Sequence, residues 1–160
     1  YKRQIAGSEK TGPKTSHPAL FENRPVVIIP HQKQRPGSVE LVTKFCAQLN
    51  SICVELTAEE HDFILAKTSH LPHVLAYAFM SMLSRDDLSY SGSGLNDFTR
   101  IAGANPEMWW AIFSLNETGL AKAMDNFQQT FSKLRSAILK RDQQTALEIM
   151  NSAYDRRKSI

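Results

Sequence analysis

Cysteine is scarce in this chain of 160 residues, with only Cys46 and Cys53 present. They sit in Lys44-Phe45-Cys46 and Ile52-Cys53-Val54 without metal-ligand spacing. They read as buried, reduced thiols of a cytoplasmic protein in preference to a disulfide. Charge of one sign is also scarce. The formal net charge is +3 and scattered, too little to specify nucleic acid as a partner. The one basic cluster, Arg156-Arg157-Lys158, reads as a solvated tail at the negative end of a helix dipole. No apolar run approaches the ~20 residues of a membrane helix, and no signal-peptide pattern opens the sequence, so no membrane partner is expected. No Gly-x-Gly-x-x-Gly follows a strand-like run, which excludes the usual dinucleotide-binding turn from these residues.

What is present is enough apolar sequence, 42%, for one domain, or for one domain with a fragment of another. Residues 1–24 are polar and irregular, and Ile5-Ala6-Gly7-Ser8-Glu9-Lys10-Thr11-Gly12-Pro13 has loop chemistry. The run Pro25-Val26-Val27-Ile28-Ile29-Pro30 suits a strand buried on both faces or a parallel edge strand. A helix is expected over roughly 38–50, capped by Ser38, with Val42, Phe45, Cys46 and Leu49 as its apolar stripe. Ile52-Cys53-Val54-Glu55-Leu56 reads as a second strand. Strand, helix, strand is the end of an α/β domain, and two strands alone make no stable sheet.

After Leu56 the pattern turns helical. Thr57-Ala58-Glu59-Glu60 is a capping box. The helix it opens runs to about Leu83, with apolar Ile64, Leu71, Leu75, Ala78 and Met82 on one stripe. A second stripe carries Asp62, Ser69, His70, His73 and Tyr77. That many hydrogen-bonding side chains on one side face a polar site or water. Pro72 removes a backbone donor and clashes with the Thr68 carbonyl, so a kink or restart is expected near Ser69. Two readings stay open: a site for a small anionic or hydroxylated ligand, or a capped helix junction with two partly solvated histidines. A metal site from His61, His70 and His73 lacks a nearby acidic third ligand and has Pro72 between two of its members, so no metal is expected.

Residues 91–105 form a second polar concentration. Its glycines permit close approach of a ligand or another helix, and Asn96-Asp97 can cap a short helix holding Phe98, Thr99 and Arg100. Flanked by Phe98 and Ile101, Arg100 reads as half-buried, satisfied by a ligand carboxylate or by Asp97 or Glu107. Pro106 opens a helix that is apolar almost all round, through Met108, Trp109, Trp110, Ile112 and Phe113. Leu120, Met124, Phe127, Phe131, Leu134 and Ile138 then repeat as a heptad seam, and Asp142 can cap a last helix with Leu147, Met150 and Tyr154 inward. The seam suits a homodimer contact or the core of a monomeric bundle, and the extent of apolar helix favours the homodimer.

These residues carry a resemblance. The run His61-Asp62, Ala66, Ser69-His70-Leu71-Pro72-His73, then Gly92, Gly94, Asp97-Phe98-Thr99-Arg100-Ile101-Ala102 and Pro106-Glu107-Met108-Trp109, resembles the prephenate/arogenate dehydrogenase family of tyrosine biosynthesis. The loop from Ile5 to Gly12 is similar to that family's substrate loop. The resemblance implies a mainly α chain: residues 1–56 as a small C-terminal remnant of a Rossmann-type nucleotide-binding α/β domain with the substrate loop, and 57–160 as an all-helical substrate-binding and dimerisation domain. It implies oxidative decarboxylation of prephenate to 4-hydroxyphenylpyruvate with NAD or NADP, the cofactor bound mainly by a domain absent from this chain. It implies that Arg100 binds a substrate carboxylate, that His73 hydrogen-bonds the substrate, that Ser69 and His70 line the same pocket, and that Ser8 and Glu9 close it. It places Trp109 at the pocket of the other subunit.

One departure bears on the chemistry. Where the family has a catalytic histidine and a proline ahead of Ile-Ala-Gly, this sequence has Arg3-Gln4. Arginine cannot act as a base near neutral pH, so no catalytic residue is assigned here. Either the native N-terminus differs or the protein has lost the chemistry, and the intact pocket residues favour the former. The alternatives are a non-catalytic helical homodimerisation module, and arogenate in place of prephenate as substrate.

Overall fold

A computed structural model describes residues 2–4 and 18–159. The chain divides into two compact units, Tyr1–Leu65 and Ala66–Ile160.

In the first unit a three-stranded sheet has the order β1 (Lys2–Gln4), β2 (Pro25–Ile28), β3 (Ile52–Glu55). β2 is central, with Val26, Val27 and Ile28 buried, as expected of a continuous apolar run. β2 pairs with β3 in parallel, Val26 opposite Cys53, and α1 (Ser38–Gln48) makes the crossover. β1, unexpected from so polar a segment, pairs antiparallel with β2, and Arg3 stands opposite Val27. Three residues carry too little periodicity to announce a strand, and here the pairing comes from the neighbouring β2 edge. Ser38 does not cap α1: Gly37 does, with φ of 77°, and the Ser38 hydroxyl donates to the Arg35 carbonyl at 2.7 Å. The α1 stripe is only partly buried. Cys46 is inside, Val42 and Leu49 are half-buried, and Phe45 is exposed. Cys53 is half-buried, because β3 lies at the edge of the sheet.

The capping box opens α2 (Ala58–Leu65) as expected. The Glu60 amide donates to Thr57 Oγ1 at 3.1 Å, and the Thr57 amide donates to the Glu60 carboxylate at 2.8 Å.

The second unit is all helix: a π turn (Ala66–His70), α3 (Leu71–Ser81), α4 (Arg85–Leu88), α5 (Ser93–Thr99), a 3-10 turn (Arg100–Gly103), α6 (Pro106–Leu115), α7 (Glu117–Lys140) and α8 (Gln143–Lys158). The restart expected near Ser69 takes the form of the π turn, a widening by which the chain absorbs the missing donor and the ring of Pro72. Gly92 caps α5, four residues before the expected Asn96-Asp97 cap, with the Asn96 amide donating to the Gly92 carbonyl at 3.2 Å. Asn105 caps α6 through the Met108 amide at 2.7 Å, and Asp142 caps α8 through the Thr145 amide at 3.1 Å. Leu147, Met150 and Tyr154 are not inward; all three are exposed. α8 packs on α7 as a hairpin whose far side takes no cover among the described residues. Exposure extends to Met108, Trp110, Leu115, Phe131, Ile138 and Leu139, with Leu115 at 82% and Trp110 at 72%. No helix of the described residues is long and apolar enough to cross a membrane.

Candidate functional site

Ser69, His70, His73 and Tyr77, four members of the polar stripe, lie along the π turn and α3. The stripe faces α6 and the loop before it. The Tyr77 hydroxyl donates to the Ala104 carbonyl at 2.8 Å, tying α3 to the turn that carries Arg100. Phe79 meets Phe98 edge-on at 5.3 Å and ties α3 to α5.

Trp109 is the wall of the cluster. It is buried, stacks face to face on His73 (centroids 3.4 Å apart, 20° between planes), meets His70 edge-on at 6.3 Å, and leans on Phe113 at 5.6 Å. These partners belong to its own chain.

His73 Nδ1 lies 2.8 Å from the Ser69 carbonyl oxygen. A carbonyl only accepts, so the ring carries its proton on Nδ1 and keeps the lone pair on Nε2. Burial is the main cause that lowers the His73 pKa; the Ser69 carbonyl works against it, and the positive charge of Arg100 adds to the lowering. The neutral ring is therefore the resting form, with Nε2 as an acceptor.

Arg100 is exposed rather than half-buried, because the flanking Phe98 is itself 53% exposed and gives it no cover. It stands where α5 tightens into the 3-10 turn, near enough for its charge to act on His73. A cation within electrostatic reach of a neutral acceptor suits a ligand with both an anionic group and a hydroxyl.

Two groups went unnoticed in the sequence. Asn116, between α6 and α7, is buried with its Nδ2 3.3 Å from His70 Nδ1. Asn ahead of Glu-Thr-Gly reads as a helix junction, and nothing local to it points to a residue 46 positions away. Phe113 supports Trp109 from one turn on, a spacing that was legible as core but not as site. Among the described residues nothing lies close to the glycines of this region: a Cβ built at Gly92, Gly94 or Gly103 would meet nothing within 4 Å.

His61 belongs to the first unit, buried, with Nδ1 2.8 Å from the Asp62 carboxylate. Among the described residues no three His, Cys, Asp or Glu side chains are grouped to hold a metal ion. Ser8 and Glu9 lie outside the described residues.

Residues 57–152 match the family model described as prephenate dehydrogenase, dimerization domain. The chain belongs to the prephenate dehydrogenase family. Its relatives include cyclohexadienyl dehydrogenase of Zymomonas mobilis, 30% identical over 98% of this chain and 56% of that protein. Another is prephenate dehydrogenase of Bacillus subtilis, 28% identical over 98% of this chain and 44% of that protein. The chain thus spans about half the length of the curated relatives it matches. Among solved structures, A. aeolicus prephenate dehydrogenase in complex with hydroxyphenyl propionate and NAD+ superposes with a TM-score of 0.87 at 29% identity, covering 99% of this chain and 57% of that one.

The described residues do not fit the phosphates of a dinucleotide. No glycine-rich turn follows a strand among them. The open groove beside α1 is lined by Glu40 and Glu55 as well as Lys44, and its carboxylates oppose a pyrophosphate.

Proposed function

We propose that this chain is the substrate-binding and dimerisation half of a prephenate dehydrogenase that converts prephenate to 4-hydroxyphenylpyruvate and carbon dioxide in the cytoplasm. The carrying observation is the convergence, in one helical unit of a family member, of a neutral imidazole acceptor on His73, the Arg100 charge and the Trp109 wall. In this reading Arg100 holds a substrate carboxylate as a bidentate pair and His73 Nε2 accepts from the ring hydroxyl. Ser69, His70 and Trp109 line the pocket, joined by Ser8 and Glu9 of the loop. NAD or NADP supplies the hydride acceptor, held by a part of the complete protein other than these residues. Loss of carbon dioxide makes the ring aromatic, so the protein's task is chiefly to orient the substrate and manage one proton. The same reading assigns residues 1–56 to the end of the nucleotide-binding domain and 57–160 to the helical domain, and the family match beginning at residue 57 supports the second assignment.

A homodimer through the second unit is part of the proposal. The exposed apolar surface around Trp110, Leu115, Phe131 and Ile138 supports it, as does the description of the matched family model. A second reading, binding and dimerisation without chemistry, is favoured by one observation: Arg3, at the family's catalytic-histidine position, cannot serve as a base.

Arg100→Ala in the complete protein tests the first reading. The KM for prephenate is expected to rise roughly tenfold to a hundredfold, the worth of a charge-assisted bidentate contact. An unchanged KM removes Arg100 from the site.

A further inference from the structure

We infer that Asn116 is a positioning residue that sets the tautomer of His70, so that His70 and His73 offer a ligand opposite hydrogen-bonding roles.

The geometry is one-sided. Asn116 Nδ2 lies 3.3 Å from His70 Nδ1, with the two side chains buried to 9% and 3% exposure. A primary amide nitrogen only donates, so the ring nitrogen that receives it is the unprotonated one. His70 then carries its proton on Nε2. His73 is the mirror case: Nδ1 donates to the Ser69 carbonyl at 2.8 Å and Nε2 keeps its lone pair. Three residues apart, both rings lie against Trp109, His70 buried and edge-on, His73 half-buried and stacked, and they differ in where the proton sits. His70 is the donor of the pair and His73 the acceptor.

Gly119 bears on the same amide. A Cβ built there would lie 3.3 Å from Asn116 Cγ and 3.4 Å from its Nδ2, and closer still to Oδ1. The glycine is thus where the Asn116 amide needs room. Oδ1 is the atom turned toward Gly119, in the first turn of α7. That leaves Nδ2 for His70.

The pairing matches a ligand that brings both a hydroxyl and a carboxylate: the hydroxyl donates to His73 and the carboxylate accepts from His70. This service to the substrate rests on the prephenate reading. The tautomer assignment does not.

The test is nitrogen NMR of the ligand-free complete protein, labelled with 15N in histidine. His70 is expected to be protonated on Nε2 and His73 on Nδ1. Asn116→Asp keeps the size but replaces the donor with an acceptor, so His70 is expected to move its proton to Nδ1 while His73 is unchanged. With prephenate, N116D is expected to raise KM roughly tenfold or more, the scale of one hydrogen bond to a charged group. A wild-type His70 protonated on Nδ1 overturns the inference, and that spectrum decides even if N116D does not fold. An N116D protein whose His70 is unmoved overturns it as well. A moved proton with an unchanged KM overturns the role toward the substrate. The expected tautomers in a protein that does not turn over prephenate support the lock and refute the proposed substrate instead.

Discussion

His73 is held on three sides: its face by Trp109, Nδ1 by the Ser69 carbonyl, and its charge state by burial and Arg100. Its lowered pKa has a consequence for stability. The unfolded chain takes up the proton more readily than the folded one. The site therefore adds no penalty above the imidazole's ordinary value, about 6.5, and an increasing one as the pH falls from there through the lowered folded value. His73→Gln should flatten that part of the profile, read as a smaller drop in urea midpoint between about pH 7 and pH 5 than in the parent. Gly119→Ala makes a second residue-scale case. Alanine in a helix ordinarily stabilises by about 1 kcal/mol over glycine. Here the Cβ meets the Asn116 amide, so a net loss of roughly 1–3 kcal/mol is expected from chemical denaturation. At this scale the histidines were legible, because Ser69, His70 and His73 break an apolar helical pattern on one side. Asn116 was not, because its partner is distant in sequence. Arg100 is more exposed than its apolar sequence neighbours suggest, because Phe98 and Ile101 adjoin it in sequence without covering it in space.

At the scale of elements, the π turn is the feature that Pro72 imposes. Pro72→Ala restores the missing donor and removes the clash with Thr68, so the turn can relax toward regular α-helix and carry Ser69 and His70 off their present positions. Thermal stability should hold or rise while the KM for prephenate rises, a split that calorimetry and steady-state kinetics resolve together. Three helix starts, those of α2, α4 and α8, carry carboxylates. The backbone and hydroxyl of Thr57 lower the Glu60 pKa, those of Ser84 act on Asp87 with the hydroxyl leading, and those of Thr145 act likewise on Asp142. Carboxylates depressed in the fold stabilise it above their unfolded values, and that help is lost as the pH falls through the lowered ones. The triple variant Glu60→Gln, Asp87→Asn, Asp142→Asn should lose less stability than the parent on passing from neutral to acid pH. The Thr57 box, the Pro106 start and the Asp142 cap were legible from side-chain type and spacing. The start of α5 was not, since a glycine cap carries no side chain to announce it.

At the scale of the molecule, the heptad seam was legible but the cover over the α7–α8 hairpin was not, because periodicity marks an apolar face without naming what lies against it. Leu147, Met150 and Tyr154 are exposed, so among the described residues this face is open. Phe131→Glu should leave the helical content unchanged and shift the complete protein from dimer to monomer in sedimentation velocity; a dimer that persists would move the interface elsewhere. β1 shows the same limit from the other direction: a polar triplet becomes a strand only because the β2 edge is there to receive it. The central claim is that this family member binds prephenate for oxidation, and it is tested most directly by the rate at which the complete protein reduces NAD+ or NADP+ with prephenate or arogenate supplied. Turnover that Arg100→Ala weakens chiefly through KM is the result predicted. Absence of turnover with either substrate and either cofactor, in a folded dimer, would contradict it and leave the binding module in its place.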